Sequence, residues 1–121
     1  MAISKQTLSF TSNLKLIRDT DADATSENDV NSGAATLYGI KADNSANSAA
    51  SFVKLYNNAA PTVGTTAPDI ILKVKGSKIR RVLFPKGIAF GTALSYACVT
   101  TGGTGGTSNP TSDVKVDLIL A

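Results

Sequence analysis

Histidine and tryptophan are missing from this 121-residue chain, and cysteine occurs once. Without imidazole, histidine bases, proton shuttles and metal ligands are excluded, and hydrolase triads with them. A lone cysteine forms no internal disulfide and no zinc site. Cys98 sits in the apolar run ALSYACV and reads as a buried small hydrophobe. Long hydrophobic runs are missing too: none approaches the ~18 residues that span a bilayer, so no membrane partner is expected. The opening MAISKQTLSF turns polar almost at once, so no secretory leader is expected and the chain is expected to be made in the cytoplasm. No window of helical length repeats its apolar residues at three- and four-residue spacing. The nearest candidate, DNSANSAASF, is mostly Asn and Ser and makes a poor helix.

Short apolar runs punctuated by turn residues fill the chain instead. Hydrophobic residues make up 42% and charged residues 17%, enough for one core in one domain. Leu14, Leu16 and Ile17, preceded by Leu8 and Phe10, alternate with polar residues as a strand does. Further strands are expected over 35–42, 51–57, 69–75, 78–84, 93–99 and 113–120, seven in all. Pro61, Pro68, Pro85 and Pro110 fall between them, where proline costs no ladder hydrogen bond. Lys75-Gly76-Ser77-Lys78 reads as a tight hairpin joining two antiparallel partners. With Ile79 pointing inward, Val82 can follow it only past an extra residue, so a β-bulge is expected at Arg80 and Arg81. The fold class predicted is all-β, a two-sheet sandwich or jelly roll of about seven strands. Residues 1–7 are expected to form an extended arm with too little apolar surface to hold to its own domain, and residues 8–121 the domain itself.

Residue chemistry yields no catalytic constellation. Asp19-Thr20-Asp21-Ala22-Asp23 begins as a calcium loop does, but Ala24 replaces the required glycine and Val30 stands at the bidentate glutamate position. The acid-rich stretch from Arg18 to Gly33 is therefore expected to be a solvated loop. Thr100 to Pro110 is glycine-rich but lacks the Gly-Lys-Ser/Thr and strand-to-helix context of a phosphate cradle, which leaves a hairpin loop. Tyr38, Tyr56 and Tyr96 each fall inside a strand, where packing rather than base stacking is expected, so no nucleic-acid partner is predicted. Neither a cofactor nor a metal is expected, and an enzyme is the least favoured class.

Charge is uneven along the chain. Residues 1–50 carry four basic and six acidic side chains; residues 51–121 carry eight basic and three acidic. Lys73, Lys75, Lys78, Arg80 and Arg81 concentrate the positive charge, with Lys86 close behind. Such a cluster reads as a lysine-protected edge, as a contact surface for an acidic partner, including the acidic stretch of a neighbouring copy, or, least favoured, as a nucleic-acid surface. Ile3 and Lys5 of the arm are the other candidate partner-binding residues, through strand addition to a neighbour.

Three segments carry a resemblance: Lys54-Leu55-Tyr56-Asn57, the run from Pro61 to Pro68 (PTVGTTAP), and the run from Phe84 to Phe90 (FPKGIAF). Together they resemble small virion proteins of tailed bacteriophages, including phages of cyanobacteria. About fifty residues are covered, and the distinctive parts are turns. The resemblance implies a capsid decoration or cement protein on the virion surface. Its partners would be the major capsid protein and its own copies, as a homo-oligomer, with a trimer expected. A tail, neck or fibre component is the alternative within that class, and a host-surface carbohydrate-binding module the alternative outside it.

Overall fold

A computed structural model describes residues 3–7 and 14–121. The described residues form eight strands and no helix: β1 (Ile3–Thr7), β2 (Lys15–Ala22), β3 (Ala35–Asp43), β4 (Ser51–Asn57), β5 (Ile70–Val74), β6 (Ile79–Phe90), β7 (Leu94–Val99) and β8 (Val114–Leu120). All pairings are antiparallel, in a five-stranded sheet ordered β1-β2-β8-β3-β6 and a three-stranded sheet ordered β5-β4-β7. The chain is thus an all-β, two-sheet sandwich, as the strand periodicity predicts. Leu8 and Phe10 lie outside the described residues.

The core follows from alternation. Ile17, Leu118 and Ile40 stand in register across β2, β8 and β3, all buried, with the half-buried Val82 completing the row on β6. Val53, Leu55, Leu72, Val74, Tyr96 and Cys98 close on them from the smaller sheet. Burying whole aliphatic side chains contributes roughly 1.5–3 kcal/mol each, which is what holds two sheets of this size together.

Four expectations are corrected by the structure. The first concerns the arm. Residues 3–7 are extended, but they form β1 on the edge of the chain's own sheet, with Ile3 opposite Asp19 and Lys5 opposite Ile17. Backbone pairing supplies the hold that their sparse apolar surface does not, and Ile3 also packs against the core.

The second concerns the turn at 75–78. β5 pairs with β4 and β6 with β3, so the turn passes from one sheet to the other instead of closing a hairpin. It is held down from outside. The Ser77 amide donates to Asn47 O at 2.7 Å and the Asn44 amide to Lys78 O at 2.9 Å.

The third concerns β6. Its first half pairs with β3 without a break from Ile79 to Leu83, and the register slips only between Leu83 and Ile88. Four residues, Phe84-Pro85-Lys86-Gly87, stand there against Tyr38 alone. Pro85 has no amide to pair, and Gly87 has φ +75°, so the irregularity falls where the sequence tolerates it. Ile79 is consequently exposed, and Pro85 lies within a strand at the sheet's edge instead of between strands.

The fourth concerns the acidic stretch. β2 continues to Ala22, and the next residues run along β7: Cys98 N donates to Asp23 O at 2.7 Å, Glu27 and Tyr96 exchange backbone bonds of 2.8 and 3.0 Å, and Val30 N donates to Leu94 O at 2.9 Å. Residues 23–30 therefore cover the edge of β7 that would otherwise offer unpaired donors and acceptors.

Candidate functional site

The five clustered cations sit where β5 and β6 diverge. Lys73 points outward from the smaller sheet, between the inward Leu72 and Val74. Lys75 and Lys78 flank the turn. Arg80 shares the phase of Val82 and Phe84, and its Nη1 donates to Lys73 O at 2.9 Å, bridging the open side of the sandwich. Arg81 points outward from the larger sheet, opposite Lys41. Between the strands lies a shallow hollow of about 360 Å³, lined by Lys73, Val74, Lys75, Lys78, Ile79 and Arg80. No acid lines it.

The same two strands hold all three exposed large hydrophobics of the described residues: Ile71 at 40%, Ile79 at 43% and Leu83 at 74% exposure. Starting the alternation of β6 with Ile79 inward hides the exposure of Ile79. Counting back by twos from the buried Phe90 puts Ile88, Phe84 and Val82 inward and leaves Leu83 and Ile79 outward. Exposed apolar groups rimmed by charge are the composition of a protein contact surface.

Ile3 and Lys5 do not join this cluster. β1 and β6 are opposite edges of the larger sheet, four strand spacings or about 19 Å apart. Ile3 is half-buried against the core, and Lys5 is exposed.

A pinned polar network supports the basic turn. Asn44 and Asn47 are buried in the connection between β3 and β4. Asn44 Nδ2 lies within hydrogen-bonding reach of Ala49 O, Val74 O and Lys75 O at 3.0–3.2 Å, and its Oδ1 accepts from Asn47 Nδ2 and Ser51 Oγ, each at 2.8 Å. Asn47 continues the network, donating to Ser112 O at 2.9 Å and accepting from Ser112 N at 2.7 Å. Buried amides with both ends satisfied fix loop positions that apolar packing leaves loose.

The opposite side of the sandwich is acidic. Asp19 is buried on the inner face of β2, where Tyr96 Oη donates to its Oδ2 at 2.7 Å and Asp21 N to its Oδ1 at 3.0 Å. Burial outweighs those bonds and pushes its carboxyl up to about 6. Glu27 is also raised, first by burial and then by Asp21 and Asp23. Burial pushes the Cys98 thiol up to about 12, which leaves it inert at neutral pH. Among the described residues no group of His, Cys, Asp or Glu could hold a metal ion.

Lys54 and Tyr56 face outward on β4 and are nevertheless buried. The glycine-rich loop after β7 lies over them: Lys54 Nζ donates to Gly106 O at 2.9 Å and Thr104 O at 3.3 Å, while Gly102 approaches the Phe52 ring. Burial lowers the Lys54 ammonium and raises the Tyr56 phenol, whose hydroxyl has no hydrogen-bond partner among the described residues. That loop closes over a sheet face, a role its composition alone does not reveal. Compared with family models, with curated proteins and with solved structures, the chain matches none.

Proposed function

We propose that this chain is a structural adhesion protein of a tailed-phage virion, a capsid decoration protein that holds to the outer shell as a homo-oligomer. One observation carries the reading: Lys73, Lys75, Lys78 and Arg80 line one hollow with the exposed Ile79 on the β5–β6 side, above a turn fixed by the Asn44–Asn47 network. A rigid, basic and apolar side suits lasting contact between proteins and offers no group positioned for covalent chemistry. The resemblance of the Lys54–Asn57, Pro61–Pro68 and Phe84–Phe90 segments supplies the virion context. Binding only the assembled shell would stabilise that shell by mass action. Sugar binding is less favoured, because Tyr38, Phe52 and Phe84 are half-buried and Tyr56, Tyr96 and Phe90 fully so, which leaves no exposed ring among the described residues for a sugar to stack on.

The test is a mass-spectrometric inventory of purified virions, with copy number relative to the major capsid protein, together with binding of the purified chain to undecorated capsids. A stoichiometric complement and saturable binding are expected. A chain absent from virions and without capsid affinity refutes the reading.

A further inference from the structure

The basic and acidic clusters of this chain cannot satisfy one another within one copy. In the larger sheet β6 and β1 are opposite edges, and in the smaller sheet β5 lies on one side of β4 while β7, with residues 23–30 along it, lies on the other. The β5–β6 side carries Lys73, Lys75, Lys78, Arg80 and Arg81; the other side carries Asp23 and Glu27, beside Asp21. Three or four strand spacings, about 14–19 Å, separate them through the sandwich, more than the ~8 Å over which charges interact at physiological salt.

We propose that the β5–β6 side of one copy docks on the residue 23–29 side of a second copy, so that the chain associates head to tail. This names the partner of the adhesive side and rests on the preceding reading only for the expectation of a homo-oligomer. The two sides are complementary in charge. The basic side adds what steering alone does not provide: a hollow between the diverging strands with cations at its rim and Val74 and the exposed Ile79 in its wall, to lose water on contact. The acidic side offers a segment already extended along β7, with Asp23 and Glu27 half-buried and Thr25 and Asn28 exposed between and beside them. Contact between two different patches of the same chain is heterologous, and it forms a closed ring when the rotation per copy divides a full turn. A ring of three is the smallest such closure with distinct neighbours on each side.

Complementary charge reversal tests this on the full chain, with sedimentation and light scattering at about 50 and 500 mM NaCl. Wild type is expected to associate at low salt, with affinity falling on the order of tenfold or more as salt rises. K75E/K78E leaves three cations against two acids on the β5–β6 side, abolishing most of its positive charge, and D23K/E27K gives a copy with two basic sides. Each alone is expected to be monomeric with an unchanged circular dichroism spectrum, and the equimolar mixture to associate. Should D23K/E27K misfold, D23N/E27Q replaces it, with weakened association expected. A monomeric wild type at both salts overturns the proposal, as does undiminished association of K75E/K78E. It is also overturned if K75E/K78E stays oligomeric yet no longer binds capsids, since the shell is then the occupant of that side. A chain that associates as described but fails to bind capsids refutes the decoration reading and leaves this one standing.

Discussion

The Tyr96 hydroxyl donates to Asp19 Oδ2 at 2.7 Å across 77 residues of sequence, inside the sandwich. The bond ties β7 of the smaller sheet to β2 of the larger one and gives a buried carboxylate a hydroxyl donor beside the Asp21 amide.

Replacing Tyr96 by Phe is expected to cost about 1–3 kcal/mol at pH 7, because the charged acceptor stays buried with a donor lost. Urea denaturation at pH 7 and pH 4.5 checks this. The loss is expected to shrink at the lower pH, where Asp19 is neutral and needs the donor less.

Stability is expected to fall as pH rises from about 4 to 7. Asp19 has a folded pKa of about 6 against an ordinary 3.8, so its contribution is fully present below the lower value and is lost as pH rises through the upper one. Two pKa units correspond to on the order of 3 kcal/mol. Glu27 is shifted in the same direction. Asp43, lowered by its bonds to Ser45, has the opposite sign but acts below this window. Urea midpoints measured across that range should flatten in Asp19→Asn, and an equally steep slope in the variant would reject the assignment.

Asn44→Ala is expected to be among the most damaging single substitutions outside the apolar core, at about 3 kcal/mol or more, since it leaves several buried partners unpaired. Chemical denaturation provides the number. A cost below ~1 kcal/mol would mean that water replaces the amide.

Two glycines should respond oppositely. A Cβ on Gly76 would run into Ser48 O, whereas one on Gly105 meets nothing within 4 Å. Gly76→Ala is therefore expected to cost about 2 kcal/mol or more, and Gly105→Ala less than ~0.5 kcal/mol, as read by thermal melting.

Lys54→Met should loosen the glycine-rich loop without unfolding the domain. Among the described residues no carboxylate pairs with the buried ammonium, which holds two loop carbonyls, so its removal relieves a desolvated charge while freeing the loop. Limited proteolysis within residues 102–106 is expected to accelerate, with the global melting temperature nearly unchanged.

Local patterning made much of the fold legible. Period-two alternation located the strands from β2 to β8, and the apolar surroundings of Cys98 marked its burial. Both are properties of neighbours in sequence, because a strand's faces are set by the pleat. Which strands pair is not such a property. Lys75-Gly76-Ser77-Lys78 has hairpin chemistry, yet Asn44 and Asn47, some thirty residues earlier, hold that turn where it leads from one sheet to the other. Residues 18–33 read as solvated because their acids outnumber their apolar groups; residues 18–22 are held instead in β2 beside β8, and 23–30 by backbone bonds to β7, which composition does not encode. The candidate contact side was half visible. Its five cations are contiguous in sequence, while the exposure of Ile71, Ile79 and Leu83 depends on the phase of β5 and β6 against partners elsewhere in the chain. Sequence by itself determined strands, turns and charge; tertiary structure decided pairing and side, because both depend on long-range register, which no local pattern contains.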